Sequence, residues 1–369
     1  MDPSFAYSFP AICGIQAKRE YYVSMVPLRL VPKVFSFNEE DDVPPDLRAQ
    51  RVLNKGRLPE MTRYLLDNRD SYVFSAITAS IDGKVQFQSV VPGNSEARRI
   101  GVLHVDMNAR FIINDGQHRR AAIEQAIKDH PDLADESIAV VFFMDQGLSR
   151  CQQMFADLNR YAVRPSSSLG VLYDHRDVRS EIVRRIATQS DTFRGLVEME
   201  RSTLALRSRR LFTLSAIHSA TRELIRNWEM TPAKIGELAM SFWNEVGKNL
   251  PEWGQVRTGA RPAMDIRTEL LHTHGVVLQA IGKVGHALID KDPKGWPGRL
   301  AKLSTIDWSR SNPQWEGRTL VGGRVSKADA NVQLTVTLLK ARLGLALSPE
   351  EQRAENAFLA AHKGSHRGR

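Results

Sequence analysis

The sequence predicts an α+β protein in two parts, a mixed α/β domain over residues 1–170 and a mostly α-helical domain over 171–369. Three observations carry this. Short apolar runs with period two crowd the first part and largely stop near residue 170. Long patterns of period 3.6 dominate the second part. A strand–glycine–helix junction lies inside the first, at Asp115-Gly116.

Taken in order, residues 1–35 alternate apolar and polar side chains, with Tyr21–Met25 as the best strand. Leu28–Phe37 reads as a further extended stretch interrupted by Pro32, and the acidic run Asn38–Pro45 as a loop. Residues 58–68 predict a short helix: Leu58, Met61, Tyr64 and Leu65 share a face, and Pro59 suits a first turn. Tyr72–Ser80 reads as a buried strand closed by Asp82-Gly83, with Lys84–Val91 completing a hairpin. Ile100–Val105 is another strand. Residues 110–128 change period midway: Phe111-Ile112-Ile113 is a strand, Asp115-Gly116 a turn, and Ala121, Ala122, Ile123, Ala126 and Ile127 follow helical spacing. Ser137–Met144 is a strongly apolar strand, Ser149–Arg160 a helix and Arg164–Ser168 a loop. Helical patterns then cover 177–189, 211–228, 232–249, 265–284, 326–344 and 348–361, with Pro251–Pro262 and Asp292–Pro297 as linkers or long loops.

The formal net charge of +9 favours polyanionic partners, nucleic acid ahead of an anionic membrane surface. The two cysteines, Cys13 and Cys151, are far apart, and no Cys/His group has zinc spacing. A disulfide framework is thereby excluded, and no metal ligands are assigned. No apolar run reaches the length of a membrane span, and the first residues lack a basic segment followed by an apolar core. The expectation is a soluble cytoplasmic protein.

The Asp115–Arg120 segment is the chemical centre of this reading. A strand that delivers a glycine turn to a helix N-terminus makes an anion site, because the first helical N–H groups lack intrahelical partners. Gly116 lets the backbone approach a phosphate, with Gln117, His118, Arg119 and Arg120 as accompanying phosphate contacts. Arg119 and Arg120 sit where the helix dipole disfavours cations, a cost an anion would offset. Asp115 and His118 are the candidate catalytic pair, the first to orient the loop or activate water, the second to donate or shuttle a proton. The bland alternative is an Asp-capped turn with solvated arginines.

Asp115-Gly116-Gln117-His118-Arg119 between an Ile-rich strand and an Ala-rich helix resembles the DGQHR-domain signature. More widely the chain resembles the DndB regulators of bacterial DNA phosphorothioation (DNA sulfur modification). The resemblance rests on YSFPAICGIQAKREYYVSMVPLRLVPKVF, LRAQRVLNKGRLPEMTRYLLDNRDSYVFSAITASIDG and FADLNRYAVRPSSSLGVLYDHRD, in that order. It implies a repressor of its own modification operon and a ParB/sulfiredoxin-like fold for the first domain. In such domains a glycine–arginine loop binds nucleotide phosphates, here Gly116, His118 and Arg119. Gln117 stands where a reactive cysteine would be, which argues against sulfiredoxin chemistry. Related DGQHR proteins are nucleotide hydrolases, so ATP or another NTP with Mg2+ is the cofactor implied; no P-loop supports this independently.

A second constellation, Asp157, Asn159, Arg160, Arg164, Asp174, His175, Arg176 and Asp177, either closes the pocket, chiefly through Asn159 and Arg160, or is a helix end with its solvated loop. The run Arg51–Arg57 contacts phosphate or is a solvated face. For DNA the richest zone is 176–226, with Arg184, Arg185, Arg207, Arg209, Arg210 and Arg222 as the contact candidates. Thr213, Ser215, His218 and Arg222 could face a groove from a helix-turn-helix. Trp308 and Trp315, among the arginines of 310–324, either stack on bases or anchor a loop to the core. His272 and His274 are not read as a metal pair.

Two main functions follow, and a third reading beside them. One is a repressor that binds double-stranded DNA at its own operon promoter, as a homodimer on a palindromic operator, with nucleotide as a regulatory ligand. The other is an NTPase, DNA-stimulated or DNA-nicking, using Asp115 and His118. A third is an assembly partner of other DNA sulfur-modification proteins.

Overall fold

The computed structural model describes residues 6–35, 55–92, 96–144, 147–160 and 165–365. The chain divides into two units, 1–163 and 164–369. The α+β class is as expected: a mixed sheet in the first unit, helices in the second.

The first unit is built on seven strands: β1 (Ala6–Gln16), β2 (Arg19–Pro27), β3 (Ile77–Asp82), β4 (Val85–Ser89), β5 (Ile100–Asp106), β6 (Arg110–Asp115) and β7 (Ser137–Met144). Their order is β4-β5-β1-β2-β7-β3-β6, and only β3 and β7 run parallel. Side chains alternate along each strand, so one face collects Phe9, Val26, Ala79, Leu103, Phe111, Ile113, Val140 and Phe142 into a closed core. Phe35 and Phe142 stack within it.

Three expectations for this unit are corrected. The described part of Leu28–Phe37, up to Phe35, is not extended: Leu28–Leu30 is a 3-10 turn and Val31–Val34 a short helix, α1, with Pro32 in its first turn, while 36–37 and the expected loop Asn38–Pro45 lie outside the described residues. Leu28, Val31, Val34 and Phe35 have helical spacing and are all buried, and that burial decides the local structure. The strand expected from Tyr72 begins only at Ile77. Finally, β4 does not pair with β3. Ile77–Ile81 is buried throughout and pairs with β6 and β7 on its two edges, which places β3 inside the sheet. The alternating sequence VQFQS of β4 suits the far edge of the sheet, where it pairs with β5. The helices α2 (Leu58–Asp67), α3 (Gln117–Asp129) and α4 (Leu148–Arg160) fall where expected.

The second unit is helical: α5 (Ser167–Tyr173), α6 (Val178–Gln189), α7 (Leu214–Leu224), α8 (Pro232–Lys248), α9 (Pro251–Thr258), α10 (Ala263–Glu269), α11 (Gly275–Lys291), α12 (Trp296–Leu300), α13 (Asp329–Leu343) and α14 (Pro349–Ser365). The apolar helix α11 lies at its centre, packed against α7 and α13. The expected linker 251–262 contains α9 instead, with proline at its start and Gly259 in the left-handed region at its end. The expected helix 265–284 is broken. Leu270 bridges Ser309 and the Leu271 amide donates to the Trp308 carbonyl, so pairing with the 308–309 segment replaces a turn of helix. The Arg164–Ser168 loop is already helical from Ser167, with the Ser166 hydroxyl accepting the Leu169 amide as N-cap.

Candidate functional site

Strand β6 ends at Asp115, Gly116 turns the chain, and α3 starts at Gln117. Gly116 has φ +109°, a conformation that L side chains rarely adopt, and a Cβ there would meet Ile77 Cγ1 at 3.0 Å. It gives α3 no side-chain cap.

The side chains around this turn divide into three groups. Asp115 and Arg119 pair with each other: Arg119 Nη2 donates to Asp115 Oδ2 at 2.6 Å and to the Ala76 carbonyl at 3.1 Å. This i,i+4 bridge stabilises the first turn and holds the guanidinium against the end of β3. Arg120 belongs to the scaffold. Its Nε donates to the Phe35 carbonyl at 3.0 Å, Nη2 to the Pro32 carbonyl at 3.1 Å, and Nη1 to Glu124. It fastens α1 to α3. The third group consists of buried polar atoms with no hydrogen-bond partner among the described residues: Asn114 Oδ1, Gln117 Nε2 and Arg119 Nε. Gln117 is 5% exposed and Asn114 1% exposed, so solvent does not satisfy them. Asn114 Nδ2 is better served, donating to Ser80 Oγ at 2.8 Å and approaching Met154 Sδ on α4 at 3.2 Å. Asn114 and Ser80 were not singled out from the sequence. The signal was a polar residue at a strand position between buried apolar ones. His118 is half-buried in the first turn of α3.

The other sequence candidates scatter. The Asn159 side chain, Arg51–Asn54 and Arg164 lie outside the described residues. Arg160 is exposed in the last turn of α4. Asp174 Oδ1 accepts the amides of Arg176 and Asp177, while Asp177 caps α6 by accepting from the Arg179 amide. Both aspartates therefore shape a helix start.

Among the basic candidates, Arg184 Nη1 donates to the carbonyls of Val171 at 3.0 Å and Asp174 at 2.6 Å, closing the end of α5. Arg210 Nη1 donates to the Gly195 carbonyl. Arg185, Arg207, Arg209 and Arg222 are exposed. A helix-turn-helix is not what joins them, since α6 and α7 are separated by the whole segment 190–213. Of the four expected groove-facing side chains, Arg222 is exposed and the other three are turned toward the protein. Thr213 caps the helix, Ser215 bonds to Ser168, and burial lowers the pKa of His218. Trp308 and Trp315 stack on each other in the core with ring centroids 5.2 Å apart, so they anchor their loop. His272 is in the core, where Nδ1 accepts from Trp253 Nε1 at 2.9 Å.

No helix among the described residues is long and apolar enough to cross a membrane. A family model described as DNA-sulfur modification-associated matches residues 9–346, most of both units. No curated protein and no solved structure matches the chain.

Proposed function

The chain belongs to the DndB family of DNA-sulfur-modification-associated proteins, and from that premise we propose that it is a DNA-binding repressor of a phosphorothioate-modification operon whose Asp115–Arg119 turn binds nucleotide phosphate. One observation carries the ligand assignment. Two buried donors, Gln117 Nε2 and Arg119 Nε, stand without partners among the described residues beside the uncapped N-terminus of α3. Unsatisfied donors at a helix start suit an anion, which would complete their hydrogen bonds and meet the positive end of the dipole. The exposed arginines of the second unit supply the affinity for duplex.

The test is fluorescence anisotropy with labelled promoter duplex and a scrambled duplex, over a salt series, with and without ATP, GTP or CTP. The reading expects a salt-sensitive preference for the promoter and a nucleotide effect that Arg119→Ala abolishes. Equal binding of both duplexes ends the repressor assignment. Nucleotide dependence untouched by Arg119→Ala ends the assignment of the turn.

Nucleotide turnover is a second reading. What favours it is the half-exposed carboxylate of Asp115 next to the turn, held by Arg119 and open to solvent. Among the described residues no cluster of three His, Cys, Asp or Glu side chains forms a metal site, so a magnesium ion here would be held mainly by the nucleotide's own phosphates. Phosphate release that disappears in Asp115→Asn would establish turnover.

A further inference from the structure

Segment 200–210 of the second unit is a surface loop with no regular secondary structure, held at both ends. At the near end three consecutive serines grip it. Ser166 Oγ donates to the Glu200 carbonyl, Ser167 Oγ meets Ser202 Oγ at 2.8 Å, and Ser168 Oγ donates to the Arg201 carbonyl at 2.9 Å. At the far end Arg267 of α10 gathers three carbonyls: Nη1 donates to Ala205 at 3.2 Å, and Nη2 to Leu206 at 2.6 Å and Ser208 at 3.1 Å. The Ser208 amide closes a tight turn on the Ala205 carbonyl at 2.9 Å. The loop carries no carboxylate between residues 201 and 210 but has Arg201, Arg207, Arg209 and Arg210. At its base Glu198 accepts the Glu200 and Arg201 amides with Oε1, and Glu200 sits exposed. With its carbonyls drawn inward onto Arg267, the turn presents Leu206 to solvent at 71% exposure, with Arg207 and Arg209 exposed beside it.

We propose that this loop is a minor-groove wedge, in which Leu206 enters between base pairs of duplex DNA and kinks it while Arg207 and Arg209 lie against the flanking phosphates and groove edges. The inference rests on the DNA-binding reading above and assigns the contact and its mode. An aliphatic side chain set among arginines matches a minor groove in both respects. The groove's negative potential attracts guanidinium groups, and an apolar side chain is what unstacks a base step. A loop already ordered by Arg267 and the serines loses little conformational freedom on binding.

The experiment uses the full chain and a promoter duplex carrying a fluorophore pair at its ends, so that bending shortens the end-to-end distance. Wild type is compared with Leu206→Ala, Leu206→Met and Arg207→Ala/Arg209→Ala, each checked for an unchanged melting curve. Leu206→Ala is expected to remove the bend and weaken binding roughly two- to tenfold with an unchanged salt slope. Leu206→Met is expected to keep the bend. The double arginine variant is expected to lower the salt slope by about two. A bend of wild-type size in Leu206→Ala overturns the wedge, even if the arginine variant binds more weakly. If wild type binds no duplex, the DNA-binding reading itself fails. Sedimentation with phosphatidylserine vesicles that depends on Leu206, alongside DNA binding that does not, reassigns the loop to a lipid surface and also overturns the wedge.

Discussion

The Asp115–Arg120 turn of the sheet unit and the 201–210 loop of the helical unit both carry close-set arginines, but they use them in opposite ways. In the turn, Arg119 and Arg120 point their guanidinium groups into the protein, onto Asp115, Ala76, Phe35 and Pro32. What remains for a ligand is backbone and two buried donors. In the loop Arg210 also reaches a carbonyl, that of Gly195, but the guanidinium that gathers the turn's carbonyls belongs to a different element, Arg267 of α10, and Arg207 and Arg209 are left exposed. The comparison teaches that an arginine's role follows from whether backbone carbonyls lie within its reach. Charge density along the chain does not distinguish the two cases.

The inward extreme is Arg318, and the comparison predicts the largest effect there. Its Nη1 and Nη2 meet both oxygens of Glu355 at 2.8 and 2.5 Å, its Nη1 also reaches the Leu334 carbonyl at 2.8 Å, and its guanidinium lies over Phe358. The pair ties α14 to α13. Arg318→Ala strands a nearly buried carboxylate and should cost about 3–5 kcal/mol, read by urea unfolding. The hydrogen bond from Arg318 holds Glu355 below the usual carboxylate range, against the opposing effect of burial. This contribution is present above the ordinary carboxylate pKa and disappears as pH falls through the lowered value.

A second acid-sensitive site lies beside Arg267. His274 is pushed down to about 4, first by burial and then by Arg310. The unfolded chain binds this proton near pH 6.5, so stability should fall as pH drops from about 6.5 to about 4, by roughly 3 kcal/mol in all. Unfolding midpoints between pH 4 and 8 should show the slope in wild type and lose most of it in His274→Gln. An unchanged slope would mean that the imidazole stays hydrated.

The turn itself tests next. Arg120→Ala leaves the Phe35 and Pro32 carbonyls without this donor and should cost about 1–3 kcal/mol, with nucleotide binding retained at temperatures where the fold persists. Gly116→Ala places a side chain at φ +109° against Ile77 and should cost about 1–2 kcal/mol, while also displacing the start of α3 and weakening nucleotide binding. If both variants lose binding in proportion to their melting temperatures, the turn is scaffold alone.

The sequence made much of this frame readable, for identifiable reasons. β7 was legible as a short, strongly apolar run, and α3 because burial on one face imposes a helical period. The strand–Gly116–helix junction was legible because glycine reports its own conformation. The partner of β3 was not, since a buried run specifies apolar neighbours without saying which ones. The break at 270–274 was hidden because Leu271 and His272 fit a helical period as well as they fit a core crossing. At the site, the sequence reading set Arg119 toward a phosphate and did not foresee its pairing with Asp115, four residues back. The scaffold role of Arg120 was not legible either, because its acceptors Pro32 and Phe35 come from a segment far away in the chain.

The smallest expected effect gives the sharpest contrast, because it compares neighbours. Arg184 and Arg185 are adjacent on α6 and equal in charge, and the sequence offered no way to rank them. Arg184 closes the end of α5 through the Val171 and Asp174 carbonyls, whereas Arg185 is exposed. Arg184→Ala should therefore cost about 1–2 kcal/mol and leave the salt dependence of DNA binding nearly unchanged. Arg185→Ala should stay within about 0.5 kcal/mol in stability and lower the salt slope by about one if its face meets phosphate. Thermal unfolding and salt-titrated anisotropy on the same two preparations separate the roles. Equal loss of stability in both would show that exposure in α6 does not mark a contact residue, and would weaken the same argument for Arg207 and Arg209.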